Sequence, residues 1–118
     1  MNSKYFVPSE FKCPCCGCLS ILGIPQRLID VLDCIREDIG KPLYVTSGFR
    51  CASRNAVVGG AEFSQHLLGM AADVTCDDID VGQIASLAES YGADGIGVYP
   101  SQGFVHIDVR GSYARVVS

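Results

Sequence analysis

The chain has 118 residues, with nine Lys and Arg against thirteen Asp and Glu, a formal net charge of −4, 48% apolar residues and no Trp. That length suits one domain and leaves no room for two, and so apolar a chain is not a disordered one, which needs low hydropathy and high charge. The acidic balance disfavours nucleic acid and anionic membrane surfaces as partners, and no run of about 18 apolar residues offers a membrane span.

Residues 1–20 form a Cys-rich N-terminal segment. Its opening, MNSKYFVPSEFKCPCC, has no apolar stretch of the secretory type, so the protein is expected to be made in the cytoplasm without a Sec signal. Thiols there are usually reduced, which favours metal over disulfides. Cys13-Pro14-Cys15-Cys16-Gly17 is a zinc-knuckle pattern, but a structural zinc needs four ligands, usually from two knuckles. Only isolated Cys34, Cys51 and Cys76 lie beyond Cys18. Three readings stay open: a second metal site using Cys13, Cys16 and Cys18, a disulfide from this segment to Cys51, or free thiols. With seven cysteines, at least one is free, metal-bound or paired between chains.

Further along, Ile24, Leu28, Val31, Leu32, Ile35 and Ile39 recur at helical spacing, which predicts a helix starting near Pro25 and stopped by Gly40 and Pro42. Cys34 is expected to be a small core residue of that helix. Leu43–Thr46 reads as a strand, Ser47–Arg50 as a turn, Ala52–Ala56 as one helical turn and Gly59-Gly60 as a breaker. Met70–Thr75 reads as a second strand. A second helix is expected over Val81–Tyr91, with Asp80 and Gln83 as a capping box and Gly92 as C-cap. Ile96–Tyr99 and Phe104–Val109 read as a hairpin joined by the four residues 100–103. The expected fold is α+β: a small single domain, 1–118, with a largely antiparallel sheet and two main helices on one face.

The chain has two histidines, His66 and His106. Zinc takes imidazole and carboxylate ligands, and a catalytic zinc keeps one position for water. His66 and Asp73, seven apart around Gly69, with His106 on an antiparallel neighbour, would supply three ligands at the sheet. Two histidines in a chain of this length also fit chance.

The run Ser64-Gln65-His66-x-x-Gly69-x-Ala71-x-Asp73, followed by Gly95-Ile96-Gly97-Val98-Tyr99-Pro100 and Gly103-Phe104-Val105-His106-Ile107-Asp108-Val109-Arg110, resembles the zinc D-Ala-D-Ala carboxypeptidase family of peptidoglycan peptidases. More narrowly it is similar to the compact phage and bacterial branch related to murein endopeptidases, with a distant likeness to the zinc site of hedgehog domains. Ser47–Cys51, Asn55 and Val58–Ala61 match that branch upstream, so the resemblance spans roughly residues 5 to 111.

The resemblance implies Zn2+ held by His66, Asp73 and His106. It implies a role for Arg50 at the scissile carbonyl or the peptide's carboxylate, against a plain surface salt bridge. Ser64 would bind substrate or orient its loop, against a plain turn or cap role, and Asn55 and Gln65 are weaker candidates. Many relatives carry a catalytic carboxylate three residues before the last zinc histidine; here that position is Gly103. Asp108, two past His106 and on the same strand face, is the substitute as general base, or else a hydrogen-bonding partner of a ligand imidazole, or else a holder of an unrelated hydrogen bond. Asp94 is a distant alternative.

The implied activity is zinc-dependent hydrolysis, as carboxypeptidase or endopeptidase, of a peptide bond in the peptidoglycan stem or cross-link. It would act at the cell wall, in the manner of a phage or prophage lysis or tail-associated enzyme. A peptidoglycan peptide is the expected partner, with no nucleic acid and no membrane insertion, and a monomer is the expected state. The competing expectation is a non-catalytic zinc-binding module that recognises peptide or cell wall.

Overall fold

The computed structural model describes residues 3–13, 24–48, 71–111 and 113–117. The expected helical turn at 52–56, the breaker at 59–60 and the start of the second strand at Met70 lie outside the described residues.

Helix α1 spans Gln26–Ile39 and buries Leu28, Ile29, Val31, Leu32 and Ile35, the stripe seen in the sequence. Pro25 sits one position earlier than expected: it is the N-cap, with extended ψ of 129°, and its carbonyl accepts from the amides of Leu28 and Ile29. Gly40 ends the helix with φ of 64°, its N–H donating to the Arg36 carbonyl, a left-handed closure that glycine adopts without strain. Cys34 is exposed, contrary to the core expectation. One residue from Ile35 on a helix is about 100° away around the axis, which turns Cys34 off the buried stripe. A short 3-10 turn, Pro8–Phe11, precedes the helix, and Phe11 joins the core.

Five strands follow: β1 (Tyr44–Ser47), β2 (Ala71–Thr75), β3 (Gly95–Tyr99), β4 (Phe104–Asp108) and β5 (Ala114–Val117). They form one sheet in the order β1-β2-β4-β3-β5, antiparallel except for β5, which runs parallel to β3. β5 has no counterpart among the expected elements. Helix α2 (Val81–Ser90) lies between β2 and β3 in the chain; Asp80 caps it by accepting from Gly82 N at 3.0 Å, without the reciprocal bond from Gln83 that a capping box adds. The β3–β4 hairpin has the expected four-residue connection, with Tyr99 paired to Phe104.

Alternate strand residues build the core. Ala72, Val74, Ile96, Val105 and Ile107 join one cluster with the α1 stripe and with Ile84 and Ala88 of α2. Each large side chain buried there is worth roughly 1.5–3 kcal/mol. The intervening residues belong to the opposite face of the sheet, where the polar residues collect. Among the described residues no helix is long and apolar enough to cross a membrane.

Candidate metal centre

Register places the site. β2 pairs Asp73 directly with His106 on β4, and β3 pairs Gly97 with His106 and Gly95 with Asp108. His106 and Asp108, two apart on one strand, share the face away from the helices. The His106 ring lies between two carboxylates: Nδ1 is 3.1 Å from Asp73 Oδ1 and Nε2 is 2.7 Å from Asp108 Oδ2. Asp73 is buried and the His106 side chain nearly so. Thr46 on β1 fixes the Asp73 backbone, its hydroxyl donating to the Asp73 carbonyl at 3.2 Å.

Asp108 has 0% exposure, and both its oxygens are engaged. Arg110, the next residue on that face, donates from Nε to Oδ1 at 2.9 Å and from Nη2 to Oδ2 at 2.6 Å, and its backbone N–H reaches Oδ1 at 3.3 Å. This is the bidentate geometry that matches a guanidinium fork to a carboxylate. Gly95 makes the space, since a Cβ there would overlap the Asp108 carboxylate.

The charges follow from these contacts. Burial pushes the Asp108 carboxyl up, but the hydrogen bonds from His106 and then Arg110 hold it well below the usual carboxylate range. Burial pushes the His106 imidazole down, and the hydrogen bonds to Asp108 and Asp73 overrule it, raising it to about 9. Two carboxylates thus favour positive charge on the ring between them.

This donor set fits zinc. A carboxylate oxygen and an imidazole nitrogen converge from facing strands, and the other ring nitrogen is tied to a second carboxylate, the arrangement that orients metal-ligating histidines. Among the described residues no group of three donors completes a site; His66, the expected third ligand, lies outside them. So do Arg50, Ser64, Asn55 and Gln65, and Cys16, Cys18 and Cys51 of the suggested second site. Cys13 is buried.

One weaker candidate, Asp94, is engaged elsewhere. Asp94 is a strut: it takes both terminal nitrogens of Arg27 on α1, at 2.6 and 3.0 Å, and the Gly111 amide at 2.8 Å. Those bonds pin the first helix to the start of β3 and leave Asp94 no part beside His106. Gly103 lies in the hairpin turn with φ of 76° and donates to the Tyr99 carbonyl at 2.8 Å, so the turn itself calls for glycine there. Arg110 was missed, although its i+2 spacing from Asp108 was as visible as that of Asp108 from His106.

The small α+β domain thus sets an aspartate and a histidine side by side on facing strands. Residues 4–108 match the family described as Peptidase M15, and the chain belongs to that family. It is 37% identical over 95 residues to the peptidoglycan L,D-endopeptidase MepK of Escherichia coli K12, and equally to that of Shigella flexneri, covering 75% of this chain and 52% of the relative. A probable peptidoglycan L,D-endopeptidase MepK of Haemophilus influenzae is 36% identical over 69 residues, 54% of this chain and 37% of the relative. The chain therefore spans about half the length of the curated relatives it matches.

Proposed function

We propose that this domain is a zinc peptidase that cuts a peptide bond in peptidoglycan at the cell wall, with His66, Asp73 and His106 holding the metal. The observation that supports it most is the Asp73–His106–Asp108 line across β2 and β4, set in a chain of the M15 family. The names of the relatives favour an endopeptidase over a carboxypeptidase. Zinc supplies a Lewis acid that polarises the scissile carbonyl and acidifies water.

The residues of the chain do the rest. Asp73 offers one oxygen beside His106 Nδ1. With a metal bound in place of the Nδ1 proton, Asp108 would accept from Nε2–H and so leave Nδ1 as the nitrogen that ligates, beside Asp73. Arg110 keeps Asp108 ionised and still. Of the roles open for Asp108, the geometry favours this orienting one: a fully buried carboxylate with both oxygens already accepting has little left with which to take a proton from water. Arg50 remains the proposed partner of the substrate's carbonyl or carboxylate, and Ser64 a substrate contact.

Digestion of purified muropeptides, with products read by mass spectrometry, tests the reading. Cleavage that stops with chelator and returns with zinc is the expected result. A chain that binds zinc and muropeptide but cuts nothing would instead be the non-catalytic recognition module, which the Gly103 turn and the engaged Asp108 carboxylate favour.

A further inference from the structure

On the face that carries His106, β3 is nearly bare. Gly95 and Gly97 present no side chain, and the next residue of that parity is Tyr99. The Tyr99 ring folds back over Gly97: a Cβ added there would come 2.8 Å from Tyr99 Cε2 and 3.3 Å from both the Tyr99 hydroxyl oxygen and His106 Cβ. The hydroxyl end of the ring therefore lies beside His106, across a gap that only glycine leaves open. Phe104 stacks on the same ring, with centroids 4.6 Å apart and planes 16° apart, which holds it in place.

The stack accounts for an aromatic ring at 99, since such pairs are worth roughly 0.5–1.5 kcal/mol beyond burial. It does not account for the hydroxyl, because phenylalanine would stack as well. Among the described residues the hydroxyl has no hydrogen-bond partner. A half-buried polar group held beside the histidine proposed to bind zinc, and without a partner among the described residues, is suited to bind something that arrives from outside.

We infer that the Tyr99 hydroxyl is a substrate-contacting hydrogen-bond donor of the metal centre, directed at the oxygen of the scissile peptide carbonyl. The inference rests on the peptidase reading above. The hydroxyl donates to the oxygen on which negative charge develops as water adds, so its bond strengthens in the transition state. Gly97 is required because any side chain there would displace the ring, and Phe104 is the backing that keeps the hydroxyl from swinging to solvent.

Tyr99→Phe keeps the ring and the stack and removes only the hydroxyl. On zinc-loaded protein with muropeptide, kcat/KM is expected to fall about 10–100-fold, the usual worth of one hydrogen bond to a charged oxygen, with zinc content and thermal midpoint unchanged. Turnover equal to the parent would overturn the inference. So would a fall accompanied by lost zinc or a lowered midpoint, which would make Tyr99 a structural residue. If the parent itself cuts nothing, the peptidase reading has failed; calorimetry of muropeptide binding to parent and Tyr99→Phe then still reads the contact, and equal affinities would overturn it.

Discussion

The two faces of the β2–β4–β3 sheet are made by alternate residues of the same strands, yet they do opposite work. Toward the helices the strands present Ala72, Val74, Ile96, Val105 and Ile107, all inside one apolar cluster. Away from them they present Asp73, Gly95, Gly97, His106 and Asp108. Burial of hydrocarbon stabilises the first face roughly in proportion to area. Buried charges on the second gain little net stability, because desolvation consumes most of their attraction. The sheet is held from one side, and the other is free to be arranged for chemistry.

The largest expected effect separates the faces. Ile107 is fully buried on the helix side, between His106 and Asp108 in the chain. Ile107→Ala is expected to lower unfolding stability by about 2–5 kcal/mol, read from urea denaturation, while zinc affinity under native conditions stays that of the parent. An equal loss of zinc affinity would show that the faces are not independent and that the site leans on core packing.

That independence also explains what the sequence made legible. The helix-facing residues repeat with the period of their element, so α1, α2 and the hairpin could be read locally, with Gly40, Asp80 and Gly92 as punctuation. The β2–β4 pairing brought Asp73 to His106 as the antiparallel reading required. What escaped depends on contacts distant in the chain. β5 is short and half-exposed, and it is placed by Ala114 N donating to the Asp94 carbonyl and by Arg115 reaching the same oxygen at 2.6 Å. The Arg27–Asp94 clamp joins residues 67 apart. Arg110 escaped because its role follows from the full burial of Asp108, which the local pattern does not show. Cys34 escaped because a neighbour in the chain is about 100° away around a helix.

Within the polar face, a second and smaller effect separates two roles of Asp108. Asp108→Asn keeps the shape but replaces one oxygen by an NH2 group. With Arg110 still demanding an acceptor, the amide turns its nitrogen toward His106 Nε2, which must then carry the lone pair. The proton moves to Nδ1, the atom facing Asp73. Zinc affinity is expected to fall about 10–100-fold, the usual cost of losing such a partner, measured by competition with a chromophoric chelator. An unchanged affinity with a collapsed kcat would restore Asp108 to the role of general base.

The smallest effect belongs to the turn that closes this hairpin. Gly103 has φ of 76°, and a Cβ there would meet nothing within 4 Å, so a substitution is disfavoured by backbone conformation alone. Gly103→Ala is expected to lose about 1–2 kcal/mol, the cost of the left-handed region for an ordinary residue, and Gly103→Asn less, since asparagine tolerates that region. Gly103→Asp is the sharper variant, because it returns a carboxylate to the position three before His106. The Gly103 carbonyl is held by the Thr75 hydroxyl at 2.8 Å, and the Tyr99–Phe104 pair lies between the turn and His106. A carboxylate at 103 is therefore expected to stay on the turn, leaving zinc affinity and muropeptide turnover at parental values. A rise in turnover for Gly103→Asp, absent in Gly103→Asn, would show that the turn does reach the metal centre and that the base in this domain had been missing.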